Sequence, residues 1–204
     1  ELQPDSALGH HMLGTVHQSA GRLREALAHY TKAGAIRPRA TTYSNIGTIH
    51  FWEGEYAAAA AAYRRAIALT PGSPGLHANL GDTLLKLGQR DEARASYAHA
   101  VREVRGLLAV NAKDAQNLAR LALYLAKLGE RAAADDALAA ALAVNAADGL
   151  VMYHGAVVDA LASRDAAACD KVATALSLGA STEIVRRADE LRRLRGCEAY
   201  DRVT

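Results

Sequence analysis

One pattern returns along this chain at nearly fixed intervals, and it restricts the fold more than any other feature. Between Tyr43 and Pro71 the order is Ile46-Gly47, Gly54, Ala59, Tyr63, Ala66 and Pro71. The same order stands 33 residues upstream as Leu13-Gly14, Gly21, Ala26, Tyr30, Ala33 and Pro38, and 34 downstream as Leu80-Gly81, Gly88, Ala93, Tyr97 and Ala100. A short supersecondary unit repeated at such a period buries its apolar face only by stacking on its neighbours, so the chain is expected to be an all-α solenoid. A generic Ala-rich bundle has no need of Gly, Ala and Tyr at the same offsets three times.

Each residue type has a physical task. Gly47 and Ala59 are placed where the two helices of a unit cross, and a side chain larger than methyl would hold the backbones apart. Ile46 and Tyr63 fill the space beside that crossing. Gly54 lies where one helix ends and the next begins, and glycine accepts the left-handed conformation that closes a helix. Pro71 stops the second helix.

An apolar-Gly pair, a turn Gly, then Ala, an aromatic, Ala and Pro resembles the tetratricopeptide repeat (TPR), a helix-turn-helix unit. That resemblance implies a right-handed α-α solenoid of about five TPR-like helix pairs with a C-terminal capping segment. Residues 1–6 read as the end of a preceding repeat, with Ser6 as a cap for the first helix. Units follow at about 7–39, 40–73, 74–114, 115–148 and 149–180, and 181–204 forms the cap. Glu1 is not a Met and Pro4 stands 34 residues before Pro38, so the segment is expected to be cut from a longer array or multidomain protein.

Two units depart from the rule. In the third, Arg105 replaces the stopping proline, and the next recognisable set (Leu121-Ala122, Gly129, Ala134, Leu138, Ala141) comes 41 residues later rather than 34. Seven extra residues are two helical turns, about 10 Å, so the helix is expected to continue to about Val110. The fifth unit keeps Gly155-Ala156, Ala168, Val172 and Ala175 but has Ser163 in place of the turn Gly. After Gly179, charged residues alternate with Ile184, Val185, Leu191 and Leu194 at helical spacings, as a polar cap on the last apolar face would.

The long helix, LALYLAKLGER and the ending with Gly179, Ser181, Ile184, Leu191, Leu194 and Tyr200 look like the C-terminal TPR domains of bacterial multidomain signalling proteins. In that group the repeats follow a Ser/Thr kinase, an adenylate cyclase or a winged-helix domain. The usual Asp-Pro pairs are replaced here by Ala188-Asp189 and Cys197-Glu198. This narrower resemblance implies, as an alternative to a free-standing scaffold, a regulatory or sensing domain acting in cis on an attached kinase, cyclase or DNA-binding domain.

Several function classes are excluded at this level. A formal charge of +2 is too mild to argue for nucleic acid, and Arg186, Arg187, Arg192, Arg193 and Arg195 are interleaved with Glu183, Asp189 and Glu190. No apolar run reaches the ~18 residues needed to span a bilayer. Cys169 and Cys197 form no CxxC pair, which sets a reducing, cytoplasmic environment as the expectation. There is no GxSxG, GxGxxG or GxxxxGK[ST] motif, so neither catalysis nor a cofactor is expected. None of the eight histidines forms HxxxH or HExxH. His10, His17, His50 and His77 stand where the repeat has core aromatics, so core packing rather than metal binding is expected.

The resemblance places function on the concave surface lined by the first helix of each unit, where a peptide or protein segment lies. With Tyr43, Ile46, Gly47 and His50 facing the core, helical spacing puts Ser44, Asn45, Thr48, Phe51 and Trp52 on the adjacent face. Equivalent positions are His11, Met12, Thr15, Gln18 and Ser19 before it, then Asn79, Asp82, Leu85 and Lys86, then Arg120, Leu123 and Lys127. Asn45 and Asn79 resemble the groove asparagines of TPR proteins, whose amides both donate to and accept from a ligand backbone. Ser44, Thr48 and Gln116 stand where the clamp for chaperone C-terminal carboxylates has Lys, Asn and Lys. Phe51 and Trp52 read as an aromatic anchor. The expected partner is a protein or peptide, with self-association through the open ends of the array as a further expectation.

Overall fold

Helix α1 (Ala7–Ser19) begins where Ser6 accepts a hydrogen bond from Gly9 N at 3.0 Å, the cap expected from sequence. The computed structural model describes residues 6–204, so the reading of residues 1–5 as part of a preceding repeat lies outside the described residues. Among the described residues there is no β-strand. The chain divides between Ala100 and Val101 into two compact units.

The first unit holds α2 (Leu23–Ile36), α3 (Ala40–Trp52), α4 (Tyr56–Leu69), α5 (Pro74–Lys86) and the start of α6 (Arg90–Val110). Each second helix packs on its own first helix and on the next: α2 on α1 and α3, α4 on α3 and α5. Helix α2 ends at Ile36 before Pro38, α4 ends at Leu69 before Pro71, and Pro74 opens α5. With Arg105 in place of a proline, α6 runs to Val110.

The packing turns on one contact made three times. A Cβ added to Gly14, Gly47 or Gly81 would lie 2.7–2.9 Å from ring carbons of Tyr30, Tyr63 or Tyr97, respectively. Each ring therefore lies directly on the backbone of the first helix, and the three tyrosines are at most 3% exposed. The hydroxyls are satisfied one residue beyond each glycine. Tyr30 donates to Thr15 Oγ1 (3.1 Å), Tyr63 shares a hydrogen bond with Thr48 Oγ1 (3.0 Å), and Tyr97 donates to Asp82 Oδ1 (2.5 Å).

The second unit contains the end of α6, then α7 (Ala115–Leu128), α8 (Arg131–Asn145), α9 (Gly149–Leu161) and α10 (Asp165–Ser177). Here the matching positions hold Ala122 with Leu138 and Ala156 with Val172, all buried. A methyl on the first helix is accommodated by a smaller side chain on the second. Asp114 and Asp148 cap α7 and α9 by accepting backbone N–H bonds.

Gly54 (φ +80°) and Gly88 (φ +76°) adopt the left-handed turn between paired helices. Where glycine is missing, Ser163 takes the same conformation at φ 62°, at a cost of about 1 kcal/mol. Its hydroxyl accepts from Arg193 Nη1 at 3.2 Å, tying the C-terminal cap to the turn. Residues five apart bridge three of these turns: Arg22 Nε to His17 Nδ1 (2.9 Å), His50 Nδ1 to Glu55 Oε2 (2.5 Å) and Arg164 Nε to Asp159 Oδ1 (2.7 Å).

The cap is three short pieces, α11 (Thr182–Arg187), a 3-10 helix (Asp189–Leu194) and α12 (Glu198–Asp201). Its buried residues Val185, Ala188, Leu191 and Leu194 recur every third position, the period of a 3-10 rather than an α-helix. With Tyr200 they cover Ala156, Val157, Ala160, Ala168 and Val172. Arg186 and Arg187 pair with Glu183, Arg192 with Asp189, and Arg193 with Asp165.

Cys169 and Cys197, unpaired in the sequence reading, form a disulfide that joins α10 to the cap. Closing 28 residues removes about 3.5 kcal/mol of denatured-state entropy on the loop-closure model. Such bonds persist in oxidising surroundings, so the cysteines lend no support to the expected reducing compartment. Among the described residues no helix is long and apolar enough to cross a membrane.

Gly47→Ala is expected to destabilise the chain by about 1–3 kcal/mol, because its Cβ drives Tyr63 from a filled site. Added to Tyr63→Leu, which copies the Ala122/Leu138 pair, the same change should cost measurably less. Urea unfolding of the two single variants and the double variant gives the coupling energy, and strict additivity would contradict the contact.

Candidate functional site

The first helix of each pair presents one face to its own second helix and an adjacent face outward, and the packing above decides which residues fall on the latter. Thr48 and Asp82 are half-buried, each held from below by the tyrosine of its unit, and Thr48 also donates to Ser44 O at 3.0 Å. Asn45 and Asn79, one turn earlier at the same repeat position, are half-exposed. Neither amide has a hydrogen-bond partner among the described residues. Helices α3 and α5 touch, so the structure brings Asn45, Thr48, Asn79 and Asp82 onto neighbouring rods of the first unit.

Phe51 packs edge-on against Tyr56 of α4, ring centroids 5.5 Å apart, and is half-buried beside Trp52 at the end of α3. Lys86 is the exposed last residue of α5. In the second unit, Arg120 donates from Nη1 to Asn117 Oδ1 at 3.1 Å. Lys127 is paired with Glu190 of the cap at 2.8 Å, its side chain 9% exposed.

Several groups escaped the sequence reading. Of the histidines read as core, His10 is buried with its Nδ1 3.0 Å from His29 Nδ1, but His17, His50 and His77 are only half-buried. They bond to Arg22, Glu55 and the carbonyl of Pro71. An imidazole in the last turn of a helix, as at His17 and His50, or in the first, as at His77, reaches a partner in the adjoining turn, whereas a phenyl ring there has nothing to bond.

Asp159 is a carboxylate only 3% exposed, held by Arg164 and by Lys171 Nζ at 2.7 Å. Two cations offset its desolvation. His154 is the fifth-unit counterpart of Asn45, Asn79 and Arg120, a position that the repeat register could have flagged. It is 9% exposed, and its Nδ1 has no hydrogen-bond partner among the described residues. Burial, reinforced by repulsion from Arg120 and Lys127 and opposed by Asp148, lowers its pKa from 6.5 to about 4.

Comparison with known proteins follows the same lines. Residues 51–106 match the model of the tetratricopeptide repeat. A stretch of 71 residues, 34% of this chain, is 39% identical to the Hsp70-Hsp90 organizing protein of Triticum aestivum, of which it spans only 12%. Among solved structures, a thermophilic TPR protein of Thermus thermophilus is similar with a TM-score of 0.64 at 20% identity, covering 94% of this chain and 98% of that one. PilF of Pseudomonas aeruginosa is similar with a TM-score of 0.57 at 16% identity, covering 97% and 88%. At these identities the structural likeness concerns the fold, which is that of a tetratricopeptide-repeat array.

Because His154 is neutral when folded and binds a proton near pH 6.5 when unfolded, the unfolded state holds more protons between pH 6.5 and about 4. Its contribution to stability is complete above pH 6.5, falls through that window and levels off below it, a loss of about 3 kcal/mol. Urea titrations across pH 4–7 should show this slope in the wild type and a shallower one in His154→Gln, which cannot titrate.

Proposed function

We propose that this chain is a non-catalytic protein-binding module that holds an extended peptide segment along the face lined by Asn45, Thr48, Asn79 and Asp82. The observation that carries the reading is the pair of half-exposed amides, without hydrogen-bond partners among the described residues, at one repeat position on touching helices. Each amide offers a donor and an acceptor, the pairing an extended backbone presents. Helix axes about 10 Å apart correspond to roughly three residues of extended chain, so the two asparagines would meet backbone groups about three residues apart on one strand. Phe51, Trp52 and Lys86 at the helix ends supply apolar and cationic contacts for its side chains. Within the second unit, Arg120 stands at the same repeat position as the two asparagines, and Lys127 is paired with Glu190.

The tetratricopeptide match over residues 51–106, which contain Phe51, Trp52, Asn79, Asp82 and Lys86, supports an interaction role. A second reading rests on the cap. Leu191, Leu194 and Tyr200, which carry the likeness to C-terminal domains of multidomain signalling proteins, form its buried core. In that reading the segment held is part of the same polypeptide and the module regulates an attached domain in cis.

Peptides selected from a random displayed library on the wild-type chain provide the test. Asn45→Ala with Asn79→Ala should weaken their binding at least tenfold, two lost hydrogen bonds at about 1 kcal/mol each, with helicity unchanged by circular dichroism. Unaltered affinity in the double variant would refute the groove.

A further inference from the structure

The turn between α3 and α4 gathers three metal-capable side chains that the groove reading leaves unused. His50 ends the core-facing row of α3, Glu53 is the residue at which α3 stops, and Glu55 immediately precedes α4. The left-handed Gly54 folds the chain back between the two carboxylates, so that one donor atom from each of the three residues lies within 4.8 Å of the others. His50 Nδ1 is already 2.5 Å from Glu55 Oε2.

The repeat itself does not require these residues. The matching positions are His17, Ala20 and Arg22 in the first helix pair, Leu84, Leu87 and Gln89 in the third, and Leu125, Leu128 and Glu130 in the fourth. Those turns close in the same way, with Gly21, Gly88 and Gly129 at positive φ. Leu84 and Leu125 are buried, whereas the His50 side chain keeps 18% of its surface exposed and directs a ring nitrogen outward. A histidine–acid bridge alone would account for His50 and Glu55. It leaves Glu53, whose carboxylate sits at the negative end of α3 next to a second carboxylate and pairs with no cation among the described residues.

The geometry points to a divalent transition-metal site formed by His50, Glu53 and Glu55, taking Zn2+ as a three-ligand site with water at the remaining position. One imidazole nitrogen and two carboxylate oxygens are a donor set that such ions accept, at about 2.0–2.2 Å from each ligand atom. Tetrahedral ligands at that radius stand roughly 3.4 Å apart, so closure requires only that the exposed Glu53 and Glu55 side chains shift by about 1 Å. The ion would take the place of the shared proton between His50 and Glu55 and neutralise the turn. The proposal is independent of what the groove holds.

Trp52 is the sole tryptophan and adjoins Glu53, so it reports the site. Titrating the full chain with ZnCl2 by calorimetry, and with NiCl2 while following Trp52 fluorescence, should give one saturable equivalent with quenching by nickel. His50→Leu, which copies the counterpart positions and so keeps the fold, and Glu53→Gln, an exposed change, should each weaken that equivalent at least tenfold. His29→Gln, at a separate place where His29 bonds His10 and stacks on His17 with ring centroids 5.2 Å apart, should leave it intact. Binding and quenching unchanged in both His50→Leu and Glu53→Gln, abolition of the equivalent by His29→Gln, or no saturable binding in the wild type would overturn the assignment.

Discussion

A tyrosine ring resting on a glycine backbone is the contact from which the first unit is built. It sets how closely paired helices approach, because Gly14, Gly47 and Gly81 have no room for a methyl group under Tyr30, Tyr63 and Tyr97. It also decides rotation. With the ring over glycine, its hydroxyl arrives at the next residue, and that residue is Thr15, Thr48 or Asp82. Where the tyrosine becomes Leu138 or Val172, the residue following the small one becomes Leu123 or Val157, and the demand for a polar partner disappears with the hydroxyl. The pairing therefore varies as a unit within a single chain.

That coupling links packing to the outward face. Thr48 and Asp82 face the exterior in part, yet each is fixed from beneath by a buried phenol, so the surface beside Asn45 and Asn79 is pre-organised by core contacts rather than by loops. Side chains held in this way lose less freedom when a ligand arrives. The asparagines, by contrast, bond nothing among the described residues, and in the proposed function it is these amides, at the same place on two touching helices, that would meet the backbone of an extended ligand.

At the other end, the last helix pair is closed by a segment that departs from the repeat. Val185, Ala188, Leu191 and Leu194 every third residue suit a 3-10 turn, and Tyr200 completes the cover over Val157 and Val172. Short helices of this kind have little intrinsic stability. The Cys169–Cys197 bond, the Arg193 contacts to Ser163 and Asp165, and the Lys127–Glu190 pair hold them in place from three different helices or turns.

What the sequence by itself determined was the period and its local chemistry. Gly, Ala and Tyr at constant offsets specify where helices cross and turn, because those are steric demands on single residues. The extension of α6 to Val110 follows likewise from a missing proline. Tertiary structure decided what depends on residues far apart or on which way a side chain points. No spacing rule joins Cys169 to Cys197 or Lys127 to Glu190, since both require the cap to be folded. His17, His50 and His77 occupy core positions in the register but bond outward, a choice made by the partners that the turn brings within reach. Ser163 shows the same division: its identity announces the loss of glycine, while the retained left-handed turn is imposed by the helices packed on either side.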